Sequence, residues 1–213
     1  MVTPSPDLGG AIQRRVVRKI ENFRDRKLSI HEANVAETSE ILCRAVGLDE
    51  HFIILLKLGA ELHDIGKLAI SDQLLNKPAM LSTDEMELVR MHSQIGHDIL
   101  LGTGDPLLDF AASVALSHHE NFDGSGYPQG LRGEAIPMGS RIVALCDVYD
   151  ALRTDRPYRP GLTDGEAMAV ITAPEGRASR KSFDPMVVDA FIRCADAIAR
   201  TYAEASGGTL APH

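Results

Sequence analysis

The residues best suited to chemistry in this chain are His63 and Asp64, adjacent within Leu62-His63-Asp64-Ile65-Gly66-Lys67. His31 lies upstream of them, and His92, the pair His118-His119 and Asp147 lie downstream. Neutral imidazole and carboxylate suit divalent transition metals, and a purely N/O donor set favours Fe, Mn, Zn, Ni or Co over a thiolate-specified ion. An aspartate can place its two oxygens on two ions, and ions about 3.5–4 Å apart are common machinery for cleaving phosphodiesters. A lone helix histidine is ordinarily structural, and His51, His97 and His213 read that way. Two adjacent pairs near helix ends are a different signal, because neighbouring helical residues diverge by about 100° and can serve two ions. Lys67, three residues after Asp64, can hold a phosphate oxygen or donate to a leaving group. Its plain alternative is an exposed lysine beyond a helix stop.

Helices have to deliver these side chains. Apolar spacing predicts helices over Ala11–Leu28 and His31–Val46, the second stopped by Gly47. Asp49 can cap a third, which ends near His63-Asp64 with Gly66 as its stop. Ser82-Thr83-Asp84-Glu85 has capping-box spacing and opens a helix through Leu101 that carries His92. Asp105-Pro106 opens the helix Leu107–His119. Asn121–Pro137 is rich in Gly and Pro and is expected to form a loop with a short hairpin around Tyr127–Ile136. Helical spacing returns over Ser140–Leu152, Thr163-x-x-Glu166 is a second capping box, and Asp184-Pro185 starts a last helix through Tyr202. The expected fold class is all-α: a helical bundle with one long Gly-rich loop. Residues 1–10 read as a flexible lead-in, 11–28 as an N-terminal helix, 29–205 as the domain and 206–213 as a tail.

A chain of 213 residues, 44% hydrophobic and 5% aromatic, suits a single aliphatic domain that buries roughly 70% of its unfolded surface. Cys43, Cys146 and Cys194 are odd in number and scattered, which fits a reducing compartment and buried small hydrophobes. No stretch reaches the ~18 apolar residues of a membrane span, and Met1–Arg15 lacks the apolar core of a secretory signal. A cytoplasmic protein with no membrane partner is expected. A net charge of −8 argues against a nucleic-acid polymer as partner. It leaves room for a small anion, since bound cations and a few arginines can reverse the local potential.

An ordered series of motifs then carries a resemblance. His63-Asp64-Ile65-Gly66-Lys67, Asn76-Lys77-Pro78, His92-x-x-x-Gly96, His118-His119-Glu120, Asp123-Gly124-Ser125-Gly126-Tyr127-Pro128, Asp147-Val148-Tyr149-Asp150-Ala151-Leu152, Arg156-Pro157-Tyr158-Arg159 and Phe183-Asp184-Pro185 follow one another along residues 28–195. The series resembles the HD-GYP family, a bacterial branch of the HD phosphohydrolases. The resemblance implies an HD-domain bundle that hydrolyses cyclic di-GMP to pGpG, and in some members on to GMP. It implies two divalent transition-metal ions, Fe or Mn ahead of Zn, Ni or Co. The ligands it implies are His63, Asp64 as the bridge, His92, His118, His119 and Asp147, with His31 matching the upstream histidine. Lys67 then contacts the scissile phosphate, Arg156 and Arg159 hold the second phosphate, and Tyr127 either contacts substrate or braces the loop. Glu120 is expected to orient a ligand histidine, and Gly124 and Gly126 to free the loop backbone.

Three positions depart from the pattern, one of them Ser182, which replaces a common His before Phe183-Asp184-Pro185 and has no clear consequence. Lys27 stands where members with three metals carry a Glu, so two ions are expected; Asn34 replaces a usual Arg. Two other readings stay open: a catalytically weak cyclic-dinucleotide sensor or interaction module, and a hydrolase of another nucleotide. GGDEF-type or sensory proteins, and a homodimer, are the protein partners the resemblance suggests.

Overall fold

Local signals start most of the helices. The Asp49 carboxylate accepts the Phe52 amide at 2.8 Å, and Ser82 and Thr163 each form a reciprocal capping box with Glu85 and Glu166. Asp105 and Asp184 cap helices whose first residue is proline. Each such cap contributes about 1 kcal/mol by satisfying an amide that the helix cannot.

The computed structural model describes residues 26–102, 104–155, 160–176 and 178–205, without the side chains of 26–29 and 203–205. Its helices are α1 (Arg26–Val46), α2 (Glu50–Leu62), α3 (Asp72–Leu75), α4 (Thr83–Leu100), α5 (Pro106–Ser117), α6 (Met138–Arg153), α7 (Asp164–Thr172), α8 (Pro185–Arg193) and α9 (Ala195–Ala205). Short 3-10 turns occupy Ile65–Ala69, Gly133–Ala135 and Arg180–Ser182. The fold is all-α; among the described residues there is no strand, and no helix is long and apolar enough to cross a membrane.

Two apolar clusters hold the bundle. The larger joins α1, α2, α6, α7, α8 and α9 through Leu42, Leu56, Ile142, Leu145, Tyr149, Ile171 and Phe191. The smaller joins α2, the first 3-10 turn, α4 and α5 through Leu62, Ile65, Leu100 and Leu108. Each such fully buried side chain supplies about 1.5–3 kcal/mol. Cys43 and Cys146 are buried in the larger cluster as small hydrophobes.

Three sequence expectations change, and a fourth lies mostly outside the described residues. The helix expected over Ala11–Leu28 falls outside the described residues up to 25, as do 1–10 and 206–213, and α1 runs through the expected division between 28 and 29. The last helix is two helices, broken at Cys194, whose amide is shared between the Ala190 and Phe191 carbonyls. The hairpin around Tyr127–Ile136 is absent. Glu120 captures the Gln129 and Leu131 amides, at 2.7 and 3.0 Å, which a strand ladder would need. Finally, α2 ends at Leu62, and Gly66 sits inside the following 3-10 turn instead of stopping the helix. A Cβ on Gly66 would lie 1.9 Å from the His92 carbonyl oxygen. Glycine is there to let two backbone segments touch.

Candidate metal centre

Helix ends bring the chemistry together. His63 caps the C-terminus of α2, with Asp64 following and Lys67 in the 3-10 turn. His118 caps α5, with His119 next, while His92 lies on α4, Asp147 on α6 and His31 on α1. Because α1 packs on α2 and α6, and α4 on α5 and the 3-10 turn, residues far apart in sequence converge.

They form two groups. Asp64, His92, His118 and His119 are one; His31, His63 and Asp147 are the other; within each, one ligand atom per residue lies within 4.8 Å of the others. Asp64 stands between them. Its Oδ1 faces His92 Nε2 at 3.3 Å and His118 Nε2 at 3.7 Å, and its Oδ2 faces His63 Nε2 at 3.5 Å and accepts from Lys67 Nζ. Asp147 Oδ1 lies 3.4 Å from His31 Nε2 and 4.0 Å from His63 Nε2.

The ring protons follow from the partners. His63, His92 and His118 each place Nδ1 against a carbonyl three residues earlier, on Ala60, Val89 and Ala115, at 2.7, 2.6 and 2.9 Å. A carbonyl only accepts, so each Nδ1 must donate. Burial is the main cause that pushes His63 and His92 down to about 4, so these rings are neutral at pH 7. Burial and the neighbouring His118 and His92 likewise take His119 well below the usual imidazole range. The outcome is unusual: His92 Nε2 and His118 Nε2 face each other at 3.4 Å, although both rings already donate from Nδ1 to a carbonyl. His63 Nε2 and Asp64 Oδ1 are buried and make no hydrogen bond. Each acceptor buried this way costs about 1–3 kcal/mol. A cation between these atoms removes that cost, so the donors fit a divalent metal.

Charge supports the same reading. Burial would raise the Asp64 carboxyl, but Lys67, His63, His118 and His92 hold it well below the usual carboxylate range. His31 behaves oppositely to the other rings. Burial lowers it, yet its hydrogen bond to Asp150 and the charges of Asp147, Asp150 and Asp64 lift it to about 9. A metal ion and a proton compete for that nitrogen.

All seven residues expected as ligands meet here, with Lys67 beside Asp64. Tyr127 stacks on His119, ring centroids 4.8 Å apart, and the Arg90 guanidinium lies 5.0 Å over its face. Arg156 and Arg159 lie outside the described residues, and the Lys27 expectation concerns a side chain outside them. Glu120 does not orient a histidine; buried, it ties down the Gly-Tyr-Pro loop through the two amides noted above. Nor does Gly126 have a left-handed backbone, unlike Gly124; a Cβ there would meet the Asn121 amide nitrogen at 2.2 Å. A Glu120→Gln variant keeps one acceptor and turns an NH2 toward the other amide, a loss of about 1–3 kcal/mol. Faster hydrogen exchange at Gln129 and Leu131 is the expected result, and unchanged protection there would refute the bracing role.

Sequence reading missed Arg90 and Asp150. Asp150 follows Asp147 by three residues, one turn along α6, and that spacing was a usable signal.

The comparisons with known proteins agree with the geometry. Residues 15–187 match the family model described as HD domain. The chain belongs to the HD-domain family. It is 42% identical over 179 residues, 84% of its length and 46% of the relative's, to the cyclic di-GMP phosphodiesterase response regulator RpfG of Xanthomonas campestris pv. campestris. It is 37% identical over 166 residues, 78% of its length and 31% of the relative's, to the 3'3'-cGAMP-specific phosphodiesterase 2 of Vibrio cholerae. The chain thus spans less than half the length of these curated relatives. In fold it is similar to Bd1817, an HDG"Y"P protein of Bdellovibrio bacteriovorus, with a TM-score of 0.62, 23% identity, and coverage of 90% of this chain and 57% of that one. These HD-domain relatives support placement in the HD-GYP branch, the one that the ordered motifs resemble.

Proposed function

We propose that this chain is a metal-dependent phosphodiesterase that hydrolyses cyclic di-GMP to pGpG, with GMP as a further product. The observation that carries the reading is Asp64, one buried carboxylate whose two oxygens face two separate His/Asp groups. Asp64, His92, His118 and His119 would hold one ion, and His31, His63, Asp147 and the other Asp64 oxygen a second. Two ions are the count proposed; the N/O donor set admits Fe, Mn, Zn, Ni or Co, and the family resemblance puts Fe or Mn first. When bound, such ions neutralise charge at phosphorus and lower the pKa of water.

The protein's own residues supply the rest. His63 and His92, neutral and each held by a carbonyl at Nδ1, present fixed lone pairs at Nε2. Lys67, partly exposed beside Asp64, donates to a phosphate oxygen as negative charge grows on it. Tyr127, its ring packed between His119 and the Arg90 guanidinium, is proposed to meet substrate by its edge and hydroxyl, and Arg156 and Arg159 are proposed for the second phosphate. A cytoplasmic setting, with GGDEF-type or sensory partners and a homodimer, belongs to the same reading.

The test is incubation of metal-stripped and Mn(II)-loaded protein with cyclic di-GMP, with products separated by chromatography. Metal-dependent pGpG is expected, and no turnover with Mn(II) or Fe(II) would sink the proposal. A second reading, hydrolysis of another cyclic dinucleotide, is favoured by the name of the Vibrio cholerae relative; faster turnover of 3'3'-cGAMP would establish it. Lys67→Ala is expected to lower kcat about 10²–10³-fold with the metal count retained. An unchanged kcat would remove Lys67 from the reaction.

A further inference from the structure

We infer that Asp150 is a positioning residue that aims His31 at the group formed by His63 and Asp147. The inference rests on reading this centre as a metal site. Asp150 is 1% exposed and belongs to neither of the two ion groups, so the proposed reaction gives this buried carboxylate no task as a ligand. Uncompensated, such a group would be costly. Three parts of the fold converge to compensate it. From α1, Asn34 Nδ2 donates to Oδ1 at 2.8 Å and His31 Nδ1 to Oδ2 at 2.6 Å. Thr154, just past α6, donates to Oδ2 at 3.2 Å, and the Tyr202 hydroxyl of α9 lies against the same carboxylate.

The other buried rings show why this matters. His63, His92 and His118 are oriented by carbonyls three residues back on their own chain segment. His31 is oriented instead by a side chain 119 residues away. With Nδ1 donating to Asp150, Nε2 faces Asp147 Oδ1 at 3.4 Å and joins His63. A carboxylate behind an imidazole also makes its far nitrogen a stronger donor to a cation than a carbonyl does. Asn34 satisfies the second oxygen with a neutral amide, which leaves the Asp150 charge to act on His31.

The decisive experiment is Mn(II) titration of the full chain, counted by electron paramagnetic resonance, for the wild type, Asp150→Asn, His31→Ala and the double variant. Asp150→Asn is expected to weaken one Mn(II) about 10–100-fold and leave the other unchanged. In the His31→Ala background it should weaken nothing further. A folded Asp150→Asn protein that binds every Mn(II) with wild-type affinity would overturn the inference. So would a further loss at the remaining ion in the double variant, since Asp150 would then act other than through His31. Should Asp150→Asn fail to fold, Asn34→Ala loosens the same carboxylate and is expected to weaken the same ion selectively; wild-type affinity there would overturn the inference equally. A wild type that binds no Mn(II) at all would bring down the metal reading itself, an outcome distinct from indifference to Asp150.

Discussion

Asp64→Ala is expected to abolish cyclic-dinucleotide hydrolysis, by about 10³-fold or more, and to remove both metal ions from the folded protein. Asp64 is shared between the two groups, so its loss does not subtract one donor from one ion. It leaves three imidazoles on one side and two imidazoles with Asp147 on the other, and no anion between the ions. Lys67, whose ammonium pairs with Asp64, would then add an uncompensated positive charge where cations must bind. The decisive pair of measurements is metal content by elemental analysis and product formation by chromatography. A folded Asp64→Ala protein that retained its metals and its turnover would overturn the bridging role. Loss of both ions would separate a shared bridge from two independent sites, for which one ion should remain.

Gly66→Ala is expected to destabilise the fold by about 3 kcal/mol, although it adds a single methyl group. That methyl would sit 1.9 Å from the His92 carbonyl oxygen and 2.6 Å from the Gly96 nitrogen, both backbone atoms of α4 that cannot rotate away. For a chain of this length, that cost corresponds to a fall in melting temperature of about 6–12 °C. The displacement also has a direction: it pushes the Asp64–Lys67 turn away from His92, so metal affinity should fall along with stability. Gly165→Ala is the control. It lies in α7 with nothing within 4 Å of an added Cβ, and its melting temperature should hardly move. Equal melting temperatures for the two variants would show that the Gly66 contact relaxes at no cost.

How far the sequence could be read depended on how local each cause was. The capping boxes at Ser82 and Thr163, and the Asp-Pro starts at 105 and 184, were legible because cap and helix lie within four residues. The ligand set was legible for a related reason. Histidine and aspartate pairs at helix ends are rare enough to stand out, although α1, α4, α5 and α6 had to fold before they could meet. Gly66 was misjudged because the backbone it must clear lies 26 residues further on, at His92. Glu120 was misjudged because its partners belong to a loop it organises itself, and the same capture removed the expected hairpin. Asp150 was quoted within its motif but given no role of its own, because its histidine lies 119 residues away. The break at Cys194 carries no glycine or proline, so nothing in the local pattern announced it.

The Tyr127 ring has a practical consequence. The chain contains four tyrosines and no tryptophan, so phenol emission is not masked by indole. Tyr149 and Tyr202 are buried together, with centroids 5.1 Å apart, well inside the bundle. Tyr127 instead lies flat on His119, one residue removed from any ion that His119 holds. A paramagnetic ion bound there would quench the ring's fluorescence, whereas a closed-shell ion such as Zn(II) would not. Tyrosine emission is therefore expected to fall when Mn(II) is added and to persist with Zn(II), a readout that needs neither substrate nor label.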